Sequence, residues 1–134
     1  MKQSKTVRNL RIMRVIKDHK SENPVPLVAK KGDTIEGKEK ETKWEGWLWC
    51  RNETDIFGWV PKSYLEADVE SKKYQLLQDY SSRELTVKSG DEIIVLIEES
   101  GWVWVKTPLG EEGWIPTDNL EDLKARPSSI PDIM

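Results

Sequence analysis

The residues of this chain that could do chemistry are few. There is one histidine, His19, and one cysteine, Cys50. Two such groups cannot complete the four-ligand sets that structural zinc takes, and no serine or cysteine nucleophile motif stands near His19. A phosphate-cradling glycine loop is missing as well. The acidic pairs Glu98–Glu99 and Glu111–Glu112 lie among many other charges and read as solvated surface. The inventory points away from an enzyme and calls for no cofactor and no metal. Tryptophan is the exception, with seven copies against a single phenylalanine. Exposed rings beside a concave surface anchor partners through buried area, so the chemistry to expect is non-covalent recognition.

The tryptophans come in register. Trp47 and Trp102, Trp49 and Trp104, Trp59 and Trp114, and Gly58 and Gly113 are each 55 positions apart. "GWVPKSYLE" (58–66) thus returns as "GWIPTDNLE" (113–121), with Tyr64 replaced by Asn119. Upstream the offset grows to 58 between "KKGD" (30–33) and "KSGD" (88–91), and to 61 between Asp18 and Asp79. A fixed offset carrying rare residues marks an internal repeat. The second copy is shorter in two places, where loops absorb deletions. Trp44 has no counterpart and finds no account beyond loop packing.

The elements that position these residues read as strands. In "WLWCR" the two-residue period puts Trp47, Trp49 and Arg51 on an outward face and Leu48 and Cys50 on a core face. "WVWVK" repeats this, with Trp102, Trp104 and Lys106 outward. "DEIIVLIEE" is a β-branched strand and "DTIEGKEKE" its weaker counterpart. Gly32 and Gly90 each precede an aspartate and a strand, where a turn needs positive φ. "NETDIFG" and "TPLGEEG" read as hairpin connections. Trp49 and Trp104 cover the outside of the sheets, Trp59 and Trp114 are packing residues, and Cys50 is a small inert core thiol.

Charge narrows the partners. The 21 basic and 24 acidic residues leave a net charge of −3, which gives no global drive toward nucleic acid. Residues 1–20 hold seven Lys or Arg and one Asp, so a basic arm for nucleic acid is a third-ranked reading. No apolar run approaches the roughly 20 residues that cross a bilayer. No signal peptide is read at the start, and one cysteine allows no internal disulfide. A cytoplasmic chain is expected, with no membrane partner.

The ordered motifs "LLQDY…ELTVKSGD…GWVWVK…GWIPTDNL" and "VIKDH…PLVAKKGD…GWLWCR…GWVPKSYL" resemble the SH3 domain, twice. Together they cover about residues 10–121. The resemblance implies an all-β chain of two tandem small SH3-like five-stranded β-barrels. It divides the chain into a basic arm (1–9), a first barrel (10–66), a linker (67–73), a second barrel (74–121) and a disordered tail (122–134). The resemblance also implies binding of polyproline-II peptides in an aromatic groove, with acidic residues of a first loop facing a basic ligand residue.

Carried over residue by residue, the implied groove of the first copy holds Trp47, Pro61 and Tyr64, with His19 at a tyrosine position and Glu22 in its first loop. Lys17 stands where another tyrosine is expected. In the second copy Tyr80, Trp102 and Pro116 match, whereas Gln78, Asn119 and the shortened "SSR" loop with Arg83 depart. The second copy is therefore expected to keep the fold and lose much of the groove. The expected function is a non-catalytic module whose first barrel recognises a proline-containing peptide or a protein surface. The alternative is a structural pair of barrels that assembles with itself or a folded partner without a working groove. The tail "KARPSSIPDIM" invites a weaker idea, that it folds back into the first groove.

Overall fold

The computed structural model describes residues 11–22 and 25–123. The basic arm and nearly all of the tail, with the fold-back idea, lie outside the described residues. Among the described residues twelve strands run in chain order: β1 (Arg11–Val15), β2 (Val28–Ala29), β3 (Thr34–Lys38), β4 (Trp47–Arg51), β5 (Phe57–Pro61), β6 (Leu65–Asp68), β7 (Lys73–Leu76), β8 (Tyr80–Ser81), β9 (Glu92–Glu99), β10 (Trp102–Lys106), β11 (Glu112–Pro116) and β12 (Leu120–Asp122). Single 3-10 turns, Lys62–Tyr64 and Thr117–Asn119, follow β5 and β11. The chain is all-β, as its strand periodicity implies. The two main sheets are five-stranded, in the orders β5-β4-β3-β7-β6 and β11-β10-β9-β1-β12, and their ladders do not close into complete barrels.

The repeats are not the compact units. Residues 21–84 form one, here the continuous unit; residues 11–20 with 85–123 form the other, the split unit. In the continuous unit β7, from the second repeat, lies between β3 and β6. In the split unit β1, from the first repeat, takes the equivalent place between β9 and β12. Each repeat has given its first strand to the other. Each compact unit thus draws strands from both repeats, whereas the expected division at 10–66 and 74–121 follows the repeats themselves.

The cause is in the expected linker, which is no linker. Residues 69–72 turn β6 directly into β7, with Leu65 opposite Leu76 and Asp68 opposite Lys73. The Asp68 carbonyl accepts the Lys72 N–H at 2.8 Å and its carboxylate accepts the Glu70 N–H at 3.1 Å. Lys72 takes the left-handed φ of 62° that closes the turn. A four-residue connection closes at little entropic cost and seats β7 against β6. The place beside β6 is then filled, and β1 pairs with the second repeat instead. The chain passes from one unit to the other at 20–21 and at 84–85.

Matching short contacts record the exchange. Asp33 and Asp91 of the repeated "K-x-G-D" accept the N–H of Lys30 and Lys88 at 2.9 and 3.0 Å. Gly32 and Gly90 carry these turns at φ of 93° and 104°. Asp79 of the second repeat accepts the N–H of Lys31 at 2.9 Å, and Asp18 of the first accepts the N–H of Ser89 at 2.7 Å. Each unit has its own apolar core. Leu27, Ile35, Leu48, Cys50, Val60 and Leu76 are buried in the continuous unit. Met13, Val15, Val87, Ile93, Val103, Val105 and Ile115 cluster in the split unit.

Candidate functional site

The exchange redistributes the predicted groove residues. In the continuous unit Trp47 and Pro61 face each other across β4 and β5. Pro61 opens the 3-10 turn that presents Tyr64. Tyr80 arrives from the second repeat on β8, which pairs with β2 with Ala29 opposite Tyr80. Its ring stands edge-on to that of Tyr64, centroids 5.4 Å apart at 88°. The Tyr80 hydroxyl donates to the Trp59 carbonyl at 2.7 Å, which fixes the ring's orientation. The Trp47–Pro61 pair and the Tyr64–Tyr80 contact thus lie in one unit, although Tyr80 comes from the other repeat.

All four residues are closed off. Trp47, Tyr64 and Tyr80 are only 6%, 7% and 6% exposed, and Pro61 is fully buried. This corrects the outward orientation expected for Trp47. Strand parity does put Trp47 on the face of Trp49 and Arg51, but that face is covered at the Trp47 end and open toward Trp49, which is half-buried.

The split unit carries the depleted counterpart. Its Trp102 faces Pro116 across β10 and β11. His19 of the first repeat, bridged to Val87, stands edge-on to Trp102 with ring centroids 5.7 Å apart. Where the continuous unit has Tyr64, Asn119 is buried and donates from Nδ2 to the carbonyls of Lys17 and Asp18 at 3.1 and 3.2 Å. An amide that secures the backbone has replaced a ring that could hold a ligand. Trp102 and His19 remain half-buried, so this site is more open but has fewer rings.

The predicted residues are therefore sorted across the repeats. Trp47, Pro61, Tyr64 and Tyr80 lie in one unit and His19, Trp102 and Pro116 in the other, while Glu22 is exposed and has no partner among the described residues. The contact of Tyr80 with Tyr64 of the first repeat is what sequence reasoning missed. A depression of about 290 Å³ in the continuous unit is lined by Asp33, Asn52, Glu53 and Thr54 among others, and includes none of these residues. Burial pushes the Cys50 thiol up to about 12, well away from reactivity. Among the described residues no group of three or more His, Cys, Asp or Glu could hold a metal, and no helix is long and apolar enough to cross a membrane.

Comparison with known families matches both repeats. Residues 12–68 match the variant SH3 domain and residues 78–117 match the SH3 domain. The chain is a tandem SH3 protein. No curated protein and no solved structure matches it. SH3 domains are protein-interaction modules, and their presence here, twice, indicates a protein-interaction role for this tandem SH3 protein. Its matched segments follow the repeats, whereas its compact units interleave them.

Proposed function

We propose that the tandem SH3 protein binds a proline-containing extended peptide in the composite slot of Trp47, Pro61, Tyr64 and Tyr80, within the cytoplasm. The observation that carries this reading is the edge-on contact of Tyr80 with Tyr64, 5.4 Å between centroids. Through it a full set of rings, scattered over two repeats in the sequence, is assembled in one unit. Flat rings offer slots to a polyproline-II segment, which is already extended and loses little entropy on binding. Because the slot is closed, the peptide binds the fraction of molecules in which it has opened, and the apparent affinity falls by that fraction. Glu22 is the acidic residue offered to a basic ligand side chain.

The burial of Trp47 favours a second reading, a structural pair of units that meets itself or a folded partner with the slot unused. An amide-shift titration with pooled proline-rich peptides, following the Trp47 and Trp102 indoles, separates the two. Shifts at Trp47 and at the backbone of Tyr64 and Tyr80 support the slot. Silence at millimolar peptide leaves the structural reading. Nucleic-acid binding by the basic arm would instead weaken steeply with salt.

A further inference from the structure

The outer face of β3, β4 and β5 in the continuous unit carries aromatic residues that the slot does not use. Trp49 lies opposite Trp59 on one side and Lys38 on the other. The Trp49 ring is 5.1 Å from that of Trp59 in an edge contact, and stacked 5.9 Å from that of Phe57. Phe57 is 47% exposed. The Lys40 ammonium stands 4.0 Å from the Trp49 centroid.

The second repeat shows what this face is missing. At the equivalent place in the split unit, Trp104 and Trp114 make the same edge contact, with centroids 5.4 Å apart. The position of Phe57, opposite Arg51, is there occupied by Glu112, opposite Lys106. The Glu112 carboxylate accepts the Trp104 indole N–H at 2.8 Å. In that unit the face completes itself with an internal carboxylate. In the continuous unit neither the Trp49 nor the Trp59 indole N–H has a hydrogen-bond acceptor among the described residues. Among the described residues no buried side-chain nitrogen lacks a partner, so both donors reach solvent.

Charge points the same way. Arg51 on this face is fully engaged by the two carboxylates of Glu36 and Asp55 at 2.7 and 3.1 Å. Lys38 and Lys40 are exposed and hold no carboxylate among the described residues. The face therefore offers indole donors and two ammonium groups that hold no carboxylate, that of Lys40 lying over the Trp49 ring, around aromatic surface. We infer that it is a second docking surface, separate from the composite slot, for an acidic segment of a partner protein. A carboxylate of that segment takes the Trp49 indole N–H, as Glu112 takes that of Trp104, and a neighbouring apolar side chain covers Phe57. Aromatic centres with a charged rim are the usual composition of such interfaces.

The test is an NMR titration of the full chain with an octapeptide of alternating Glu and Leu. The Trp49 and Trp59 indole signals move while that of Trp47 stays still. The charge reversal Lys38→Glu with Lys40→Glu weakens binding at least tenfold. The substitution Phe57→Glu supplies the internal carboxylate, shifts the Trp49 indole signal in the free protein and abolishes the response to the peptide. Indoles that stay silent at millimolar peptide overturn the inference, as does binding that survives the charge reversal. Tighter binding of a single-stranded oligonucleotide than of the peptide at these same indoles also overturns it.

Discussion

Gly58 shows why the repeated phrase begins with glycine. A Cβ there would lie 2.9 Å from the Ser82 hydroxyl and 3.0 Å from the Leu27 Cβ. Those neighbours are fixed, because the Leu27 N–H donates to Ser82 Oγ at 2.8 Å and the Ser82 N–H donates to the Leu27 carbonyl at 2.9 Å. The substitution Gly58→Ala is expected to cost about 1–3 kcal/mol of overpacking, read as a lowered urea midpoint. Cys50 sets a pH limit. Its folded thiol titrates near 12 against an ordinary 9.0, so the neutral form is favoured by folding. That contribution is complete below pH 9 and is lost as pH rises from 9 toward 12, where Cys50→Ala flattens the alkaline fall in stability. Residue identity was the most legible level: Cys50, Gly32 and Gly90 stand as their neighbours in the sequence imply. Trp47 did not, because two-residue periodicity gives a side chain's face and says nothing of what covers it.

Strands were legible one by one, and their partners were not. Both repeats carry the same apolar pattern, so β1 and β7 suit either sheet equally and only the length of the connection between β6 and β7 decides. That signal was in "ADVESKK", where Asp68 and a four-residue turn specify a hairpin. The exchange makes an unusual prediction for Val15, which belongs to the first repeat but is fully buried in the split unit. The substitution Val15→Ala is expected to cost about 2 kcal/mol. Hydrogen exchange should accelerate at amides of β9 to β12 and stay unchanged in β3 to β6, the opposite of what repeat membership implies. Lengthening the 69–72 turn by twelve Gly and Ser residues quadruples the loop and should lower stability by about 1 kcal/mol, measured by urea unfolding.

At the scale of the whole molecule, the continuous unit is an SH3 fold whose first strand comes last, set into the first loop of a second SH3 fold. Loops accept such insertions and rearranged termini readily. Residues 21–84 alone are therefore expected to fold, as are residues 1–20 joined to 85–134 by a short loop. A cut within the 69–72 turn should leave two halves that fold only on mixing, as judged by amide dispersion. The nesting also orders events at the ribosome. Residues 21–84 form one uninterrupted body and can fold as soon as they emerge. The first of the described strands, β1, must wait for β9, whose Ile93 pairs with Met13 eighty residues later, and then for β12 on its other edge. At typical elongation rates the wait for β9 is on the order of four to sixteen seconds. Through that interval Met13 and Val15 stay exposed on an unpaired strand, so the earliest described strand is the one most dependent on protection during synthesis.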